Sequence, residues 1–323
     1  MKTCIVGGNG FVGRYLAAEL VHRGCETVVC DLQPEPHGMI PAECGYCQVD
    51  IRDKASIGRL LPLLEGEFAV VNLAANQYHA RVPRRAEEYF FSVNATGVSN
   101  LLEAVYERGC RHFVQFTTDM TYGRPRYLPV DTHHPQEPFG PYGASKKAAE
   151  AICRAYREKG MHVTVMRPRM ISGPGRAGIL LKLFRLIDWN LPVPTIGNGR
   201  NHYQMVSVFD CVSAVVSAME RGFPDKEYNL GSEGAPDIRH LLEGVIREAG
   251  SRSFVLPTPG RLVKGALWVL ERLGIPLMYK EQYMIADEEY VLDISETVAD
   301  LDWHPRYNDE DMLKEAYKMY KQK

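Results

Sequence analysis

Tyr142-Gly-Ala-Ser-Lys146 places a phenol and an ammonium four residues apart. On a helix, positions i and i+4 share a face. The spacing sets the cation beside the phenol, where it would lower a pKa of about 10 and let the phenol pass a proton near neutral pH. Taken alone, the pair is a coincidence of two common residues, and its meaning comes from chain order. Thr118 closes a short apolar run upstream and can hydrogen-bond the same substrate oxygen; Asp119 follows it as a second candidate acid. Near the start, Gly7, Gly10 and Gly13 form a GxxGxxG turn that also holds Phe11 and Val12. Without Cβ atoms a backbone can turn tightly and approach a pyrophosphate at a helix N-terminus. Asp31 closes the next apolar run. A carboxylate there can bond both ribose hydroxyls of an adenosine and repels a 2′-phosphate, which predicts NAD rather than NADP. The bland alternative is an Asp that caps a turn. Asp50 is placed to accept from the adenine amino group and Ile51 to pack on the ring. Leu73, Ala74 and Ala75 would let the cofactor lie close. Lys146 can also hold the nicotinamide ribose. The expected chemistry is hydride transfer between a substrate carbinol and the nicotinamide, with Tyr142 as acid and base.

These residues need elements to hold them. Strands are predicted at Thr3–Val6, Thr27–Asp31, Tyr46–Asp50, Ala69–Leu73, His112–Phe116 and His162–Arg167. Helices are predicted near Phe11–Val21, Ala55–Leu64, Glu87–Glu107 and Tyr142–Glu158. Strand–helix alternation predicts an α/β fold of Rossmann type, a doubly wound parallel sheet covered on both faces. After Arg167, prolines and glycines cluster in RPRMISGPGRAG and LPVPTIGNG and the alternation becomes irregular. We expect residues 1–168 to form the NAD-binding domain, catalytic helix included. Residues 169–323 would form mainly a smaller α/β substrate lobe, with some segments returning to the sheet.

A net charge of −2 over 323 residues gives no push toward nucleic acid or an anionic membrane. No stretch approaches the roughly 18 apolar residues of a membrane span. The N-terminus reads as a strand rather than a signal peptide, and the eight cysteines are scattered, which predicts a reducing cytoplasm. Cys44 and Cys47 have CxxC spacing, but no second pair follows, so no metal is expected.

At this point the chain resembles the extended short-chain dehydrogenase/reductases, the NAD-dependent epimerase/dehydratase family. The matching stretches are CIVGGNGFVG, VDIRD, NLAA, SVNATGVSNLLEAV, FTTDMTYG, PFGPYGASKKAAE, RPRMISGPG, EYNLGS and YVLDISETVADLDWHP, between residues 4 and 305. The resemblance implies a tightly held NAD(H), a nucleotide-sugar substrate and a homodimer, and it places Asn94 near the cofactor. Departures bear on the reaction. Where related 4,6-dehydratases carry Asp-Glu after the catalytic Thr, this chain has Asp119-Met120, and Met120 cannot act as a base. Arg169 replaces a usual Asn, Tyr203-Gln204-Met205 replaces Arg-Asp-Phe, and Gln282 and Tyr283 stand where an arginine commonly grips the diphosphate. Arg169, Arg176 and Arg200, with Tyr203, are the candidate substrate contacts.

The reaction expected is 4-epimerisation or 4-ketosugar reduction on a nucleotide sugar. Two alternatives stay open: a hydroxysteroid-like or β-hydroxyacyl dehydrogenase, and a non-catalytic NAD-binding regulator. The first draws on RLVKGALWVLERLGI (261–275), where Leu262, Ala266, Val269, Leu270 and Leu273 recur at helical spacing. Its plain reading is an amphipathic helix packed on the lobe.

Overall fold

The computed structural model describes the whole chain except residues 79–81, 84, 177–179 and 323. Runs that carry Val, Ile or Phe form the strands β1 (Lys2–Val6), β2 (Thr27–Asp31), β4 (Phe68–Asn72), β5 (His112–Phe116) and β6 (His162–Pro168), and the part-exposed Gly-Tyr-Cys-Gln segment forms β3 (Gly45–Gln48). β1, β4, β5 and β6 are almost wholly buried, as expected for parallel strands covered on both faces. Beyond them lie β7 (Met170–Ser172), β8 (Val193–Ile196), β9 (Met205–Ser207), β10 (Glu227–Leu230) and β11 (Val255–Thr258). The main sheet has the order β10-β6-β5-β4-β1-β2-β3, with every pairing parallel. Strand order reverses between β1 and β4, and a crevice for ligands opens at such a switch point, beyond the carboxyl ends of the strands.

Helices α1 (Phe11–His22), α2 (Lys54–Gly58), α3 (Ala86–Phe91), α4 (Val98–Glu107) and α5 (Pro141–Arg157) belong to the first half. One core joins Leu16 and Leu20 of α1 to Ile5, Val29 and Val114; the other joins Leu101 and Val105 of α4 and Cys153 of α5 to Val70 and Val163. Two expected helices differ in detail. Ala55–Leu64 stops early, and Leu61-Pro62-Leu63 makes a separate tight turn. Glu87–Glu107 is interrupted by a π-helical turn at Ser92–Gly97, an irregularity that often marks a functional site.

The second half holds α6 (Leu180–Asp188), α7 (Val208–Glu220), α8 (Ile238–Glu248), α9 (Gly260–Arg272), α10 (Lys280–Tyr283), α11 (Ser295–Leu301) and α12 (Asp309–Lys321). Phe184 and Ile187 of α6, Leu241 and Val245 of α8 and Leu313 and Tyr317 of α12 share a core of their own. β10 extends the main sheet, while Cys211 and Val215 of α7 pack in the core of α1. Chain connectivity and spatial division therefore part ways at these two elements.

α9 corrects an expectation. It does not pack its apolar stripe on the lobe: Leu267 is its one buried residue, while Leu262 is 72% and Leu273 68% exposed.

Candidate active site

The glycine turn between β1 and α1 is closed by contacts that forbid side chains. Gly7 has φ +78°, and a Cβ on it would lie 2.6 Å from the backbone nitrogen of Ala74. A Cβ on Gly13 would lie 2.5 Å from Cα of Gly8. The turn therefore sits against Leu73 and Ala74 at the end of β4, with the Leu73 amide bonded to the Val6 carbonyl at 2.8 Å. Gly10 precedes α1 and offers no side-chain cap, so the first amides of the helix are open to an anion. Asp31, at the end of β2, accepts from the amides of Asn9 at 3.0 Å and Gln33 at 3.3 Å. Asn9 in turn donates to Gln33, Glu35 and Tyr46 and binds the loop after β2 over the turn. These residues fit a dinucleotide: a cradle that Cβ atoms would fill, an uncapped helix start and a carboxylate one strand away.

On the adenine side, Asp50 and Ile51 both have partners within the protein. The Asp50 carboxylate is gripped by Arg52, with contacts of 2.6 to 3.1 Å, and this pairing holds it below the usual carboxylate range. Ile51 is 4% exposed, and Gly97 leaves space for its side chain. Asn94, in the π-helical turn, is fully buried. It accepts from the Asn76 amide at 2.8 Å and donates to the Asn76 carbonyl and the Ser145 hydroxyl, both at 3.0 Å. It thus ties the segment after β4 to α5.

Thr118, Tyr142 and Lys146 are all buried at the carboxyl end of β5 and on the first turns of α5. The Lys146 ammonium donates to the Phe116 carbonyl at 2.9 Å, which leaves two N–H groups. Burial pulls its pKa down to about 8. The expected lowering of the phenol by Lys146 is not what the structure holds. Burial pushes Tyr142 well above its ordinary value, and the cation that opposes this is Arg176. An aromatic wall explains the desolvation: Tyr78 and Phe90 meet the Tyr142 ring edge-on, with centroids 5.7 and 5.6 Å away.

Asp119 is no free acid. It forms a buried ion pair with Arg169 at 2.5 Å and accepts from the Thr118 hydroxyl at 3.0 Å. Arg169 lies over the rings of Tyr290 and Tyr203, at 4.1 and 4.9 Å, and among the described residues its Nε and Nη2 atoms have no partner. Its charge is paired with that of Asp119. Arg200 is exposed on the loop between β8 and β9, and its guanidinium bonds none of these residues. Arg176 is different. Its guanidinium lies 5.5 Å from the Phe11 ring centroid and donates to Gln77 at 3.3 Å. Desolvation lowers its pKa, and among the described residues no carboxylate pairs with it.

Glu281, from α10, went unread in the sequence. Its carboxylate is 1% exposed and accepts from the amides of Tyr142 at 3.0 Å and Gly143 at 3.1 Å and from the Tyr78 hydroxyl at 2.8 Å. It caps α5 from a segment 139 residues away, and Tyr279 beside it stacks on Tyr78 at 4.6 Å. A Cβ on Gly140 would collide with this carboxylate, so the glycine before Pro141 admits it. No spacing rule finds such a contact. The thiols of Cys44 and Cys47 are free, and among the described residues no cluster of His, Cys, Asp and Glu is arranged for a metal.

A parallel sheet with a glycine-cradled helix start at its switch point is the architecture of a dinucleotide-dependent enzyme. The NAD dependent epimerase/dehydratase family matches residues 3–231, and the chain belongs to that family; it is an NAD-dependent enzyme. An uncharacterised protein of Sinorhizobium fredii is 29% identical over 99% of this chain and 79% of its own length. A mouse dTDP-D-glucose 4,6-dehydratase is 26% identical over 78% of this chain and 75% of its own. The Thermus thermophilus UDP-glucose 4-epimerase, solved in complex with NAD, superposes with a TM-score of 0.78 at 25% identity, covering 99% of both chains.

Proposed function

We propose that this enzyme inverts or reduces C4 of a nucleotide sugar, most simply as a 4-epimerase. The observation that carries the choice is the Asp119–Arg169 pair. Elimination of water across C5 and C6 needs a free acid and a base beside the catalytic threonine. Here the acid is locked in an ion pair and Met120 occupies the next position. What remains is a proton-transfer group suited to oxidation and reduction at one carbon.

Residues 1–168 carry the cofactor side and 169–323 mainly the substrate side. Gly7, Gly10 and Gly13, with Phe11 and Val12, hold the pyrophosphate; Asp31 holds the adenosine ribose; Leu73, Ala74 and Ala75 line the cofactor's path; Lys146 holds the nicotinamide ribose. Bound NAD supplies a hydride acceptor and donor. Tyr142 takes the proton of the C4 hydroxyl and later returns one, and the Thr118 hydroxyl holds the same oxygen. Arg176 favours the phenolate and, as a part-buried cation that pairs with no carboxylate among the described residues, is the group best suited to the substrate's diphosphate. Tyr203 lines the sugar side. The protein acts as a homodimer.

A thermal-shift panel of the NAD-loaded protein with UDP, GDP, dTDP and CDP tests the substrate class. A nucleotide at ~100 times its Kd stabilises by about 2.7 kcal/mol, seen as a clear rise in midpoint. A rise with one of the four names the base, and the matching sugar is then assayed for inversion at C4. Formation of a dehydrated 6-deoxy product would overturn the assignment, and no rise with any nucleotide would overturn the substrate class.

A further inference from the structure

We propose that α9 lies on the surface of an anionic lipid bilayer. An amphipathic helix of a globular protein turns its apolar stripe toward the core. Here the stripe points out. Leu262, Ala266, Val269 and Leu273 follow at i, i+4, i+7 and i+11 along one face. Leu262 is 72%, Val269 46% and Leu273 68% exposed, and the chain continues through Ile275 at 60% and Leu277 at 48%. Trp268 flanks the stripe, 46% exposed, with the Arg272 guanidinium 4.3 Å above its ring. A contiguous exposed apolar surface of this kind marks an interaction site.

Charge selects the occupant. Arg261, Arg272 and Lys280 are the exposed charged residues between 260 and 280, and all are cations. Lys264 is ion-paired with Asp287, and the half-buried Glu271 accepts from the Tyr283 hydroxyl at 3.3 Å. This basic rim stands on a chain of net charge −2. A two-fold pairing of α9 with a second copy would set the same cations against each other. Anionic headgroups complement them, while leucines and a tryptophan enter the boundary between headgroups and acyl chains. At 13 residues α9 is far short of the roughly 20 needed to span, so it lies in the surface rather than across it. The segment after it runs into α10, which caps the catalytic helix, so a docked α9 would hold this side of the active site at the membrane.

The test is co-sedimentation of the full chain with phosphatidylcholine vesicles, with and without phosphatidylglycerol, read alongside tryptophan emission. Wild type should sediment with the anionic vesicles and be released by salt. Its emission should shift to the blue, and Trp268→Phe should abolish that shift. Leu262→Glu/Leu273→Glu and, separately, Arg261→Glu/Arg272→Glu should each weaken binding by about tenfold or more. Both pairs are exposed, so the thermal midpoint should hold. Absence of binding to anionic vesicles, or equal binding by the double variants, would overturn the proposal. So would conversion of a dimer to a monomer by Leu262→Glu/Leu273→Glu in sedimentation velocity, because a second copy would then be covering the stripe.

Discussion

At the scale of single residues, burial sets the electrostatics. Tyr142 sits among Tyr78 and Phe90, and its phenol is pushed up rather than down. In the proposed mechanism this hydroxyl carries the proton, so Tyr142→Phe should lower kcat by about 10²–10⁴-fold while NAD binding, followed by fluorescence, persists. Arg176 opposes the rise of the phenol's pKa. Arg176→Leu should therefore move the rising limb of the kcat–pH profile to higher pH; an unmoved limb would remove Arg176 from the proton step. Lys146 gives a stability test. Its pKa of about 8 in the fold lies below the ordinary 10.5, so the unfolded chain binds the proton more tightly. The penalty is complete below pH 8 and fades as pH rises toward 10.5. At about 1.4 kcal/mol per pH unit it is on the order of 3 kcal/mol. The stability of wild type relative to Lys146→Met, from urea unfolding, should climb across that window.

At the scale of elements, α5 is held at two points. Its N-terminus is capped by Glu281. Farther along, Glu150 binds the Arg167 guanidinium at 2.6 and 2.9 Å and accepts from Thr117 at 2.9 Å, all buried. Glu150→Ala would leave a buried guanidinium without its counter-ion and should cost about 3–5 kcal/mol by denaturant unfolding. Glu281→Ala should cost only about 1–2 kcal/mol, the range for a lost cap. Because Glu281 orients the turn that carries Tyr142, kcat should fall more than KM changes. A variant that loses stability but keeps kcat would reduce Glu281 to a cap. The expected interior helix at 87–107 broke at Asn94 for a related reason: the π-helical turn aims its amide at Asn76 and Ser145, a demand from neighbours that periodicity does not carry.

At the scale of the whole molecule, NAD binding should couple to folding. At ~100 times its Kd the cofactor should stabilise wild type by about 2.7 kcal/mol. Gly7→Ala sets a Cβ 2.6 Å from the Ala74 nitrogen, and it should lose that gain together with some intrinsic stability. The doubly wound sheet, the family and NAD were legible in the sequence because they are written locally: apolar runs at strand length, glycines between a strand and a helix, and Tyr and Lys one helical turn apart. The charge state of each site residue was not. Arg169, Arg176 and Arg200 look alike in the chain, and only the fold pairs the first with Asp119, sets the second, part-buried, near Tyr142 and leaves the third in solvent. The same holds for the helix at 260–272, whose stripe was visible from spacing but whose direction was not. Spacing along the chain specifies which side chains share a face. What that face meets depends on segments a hundred or more residues away, and these decide desolvation, pairing and exposure.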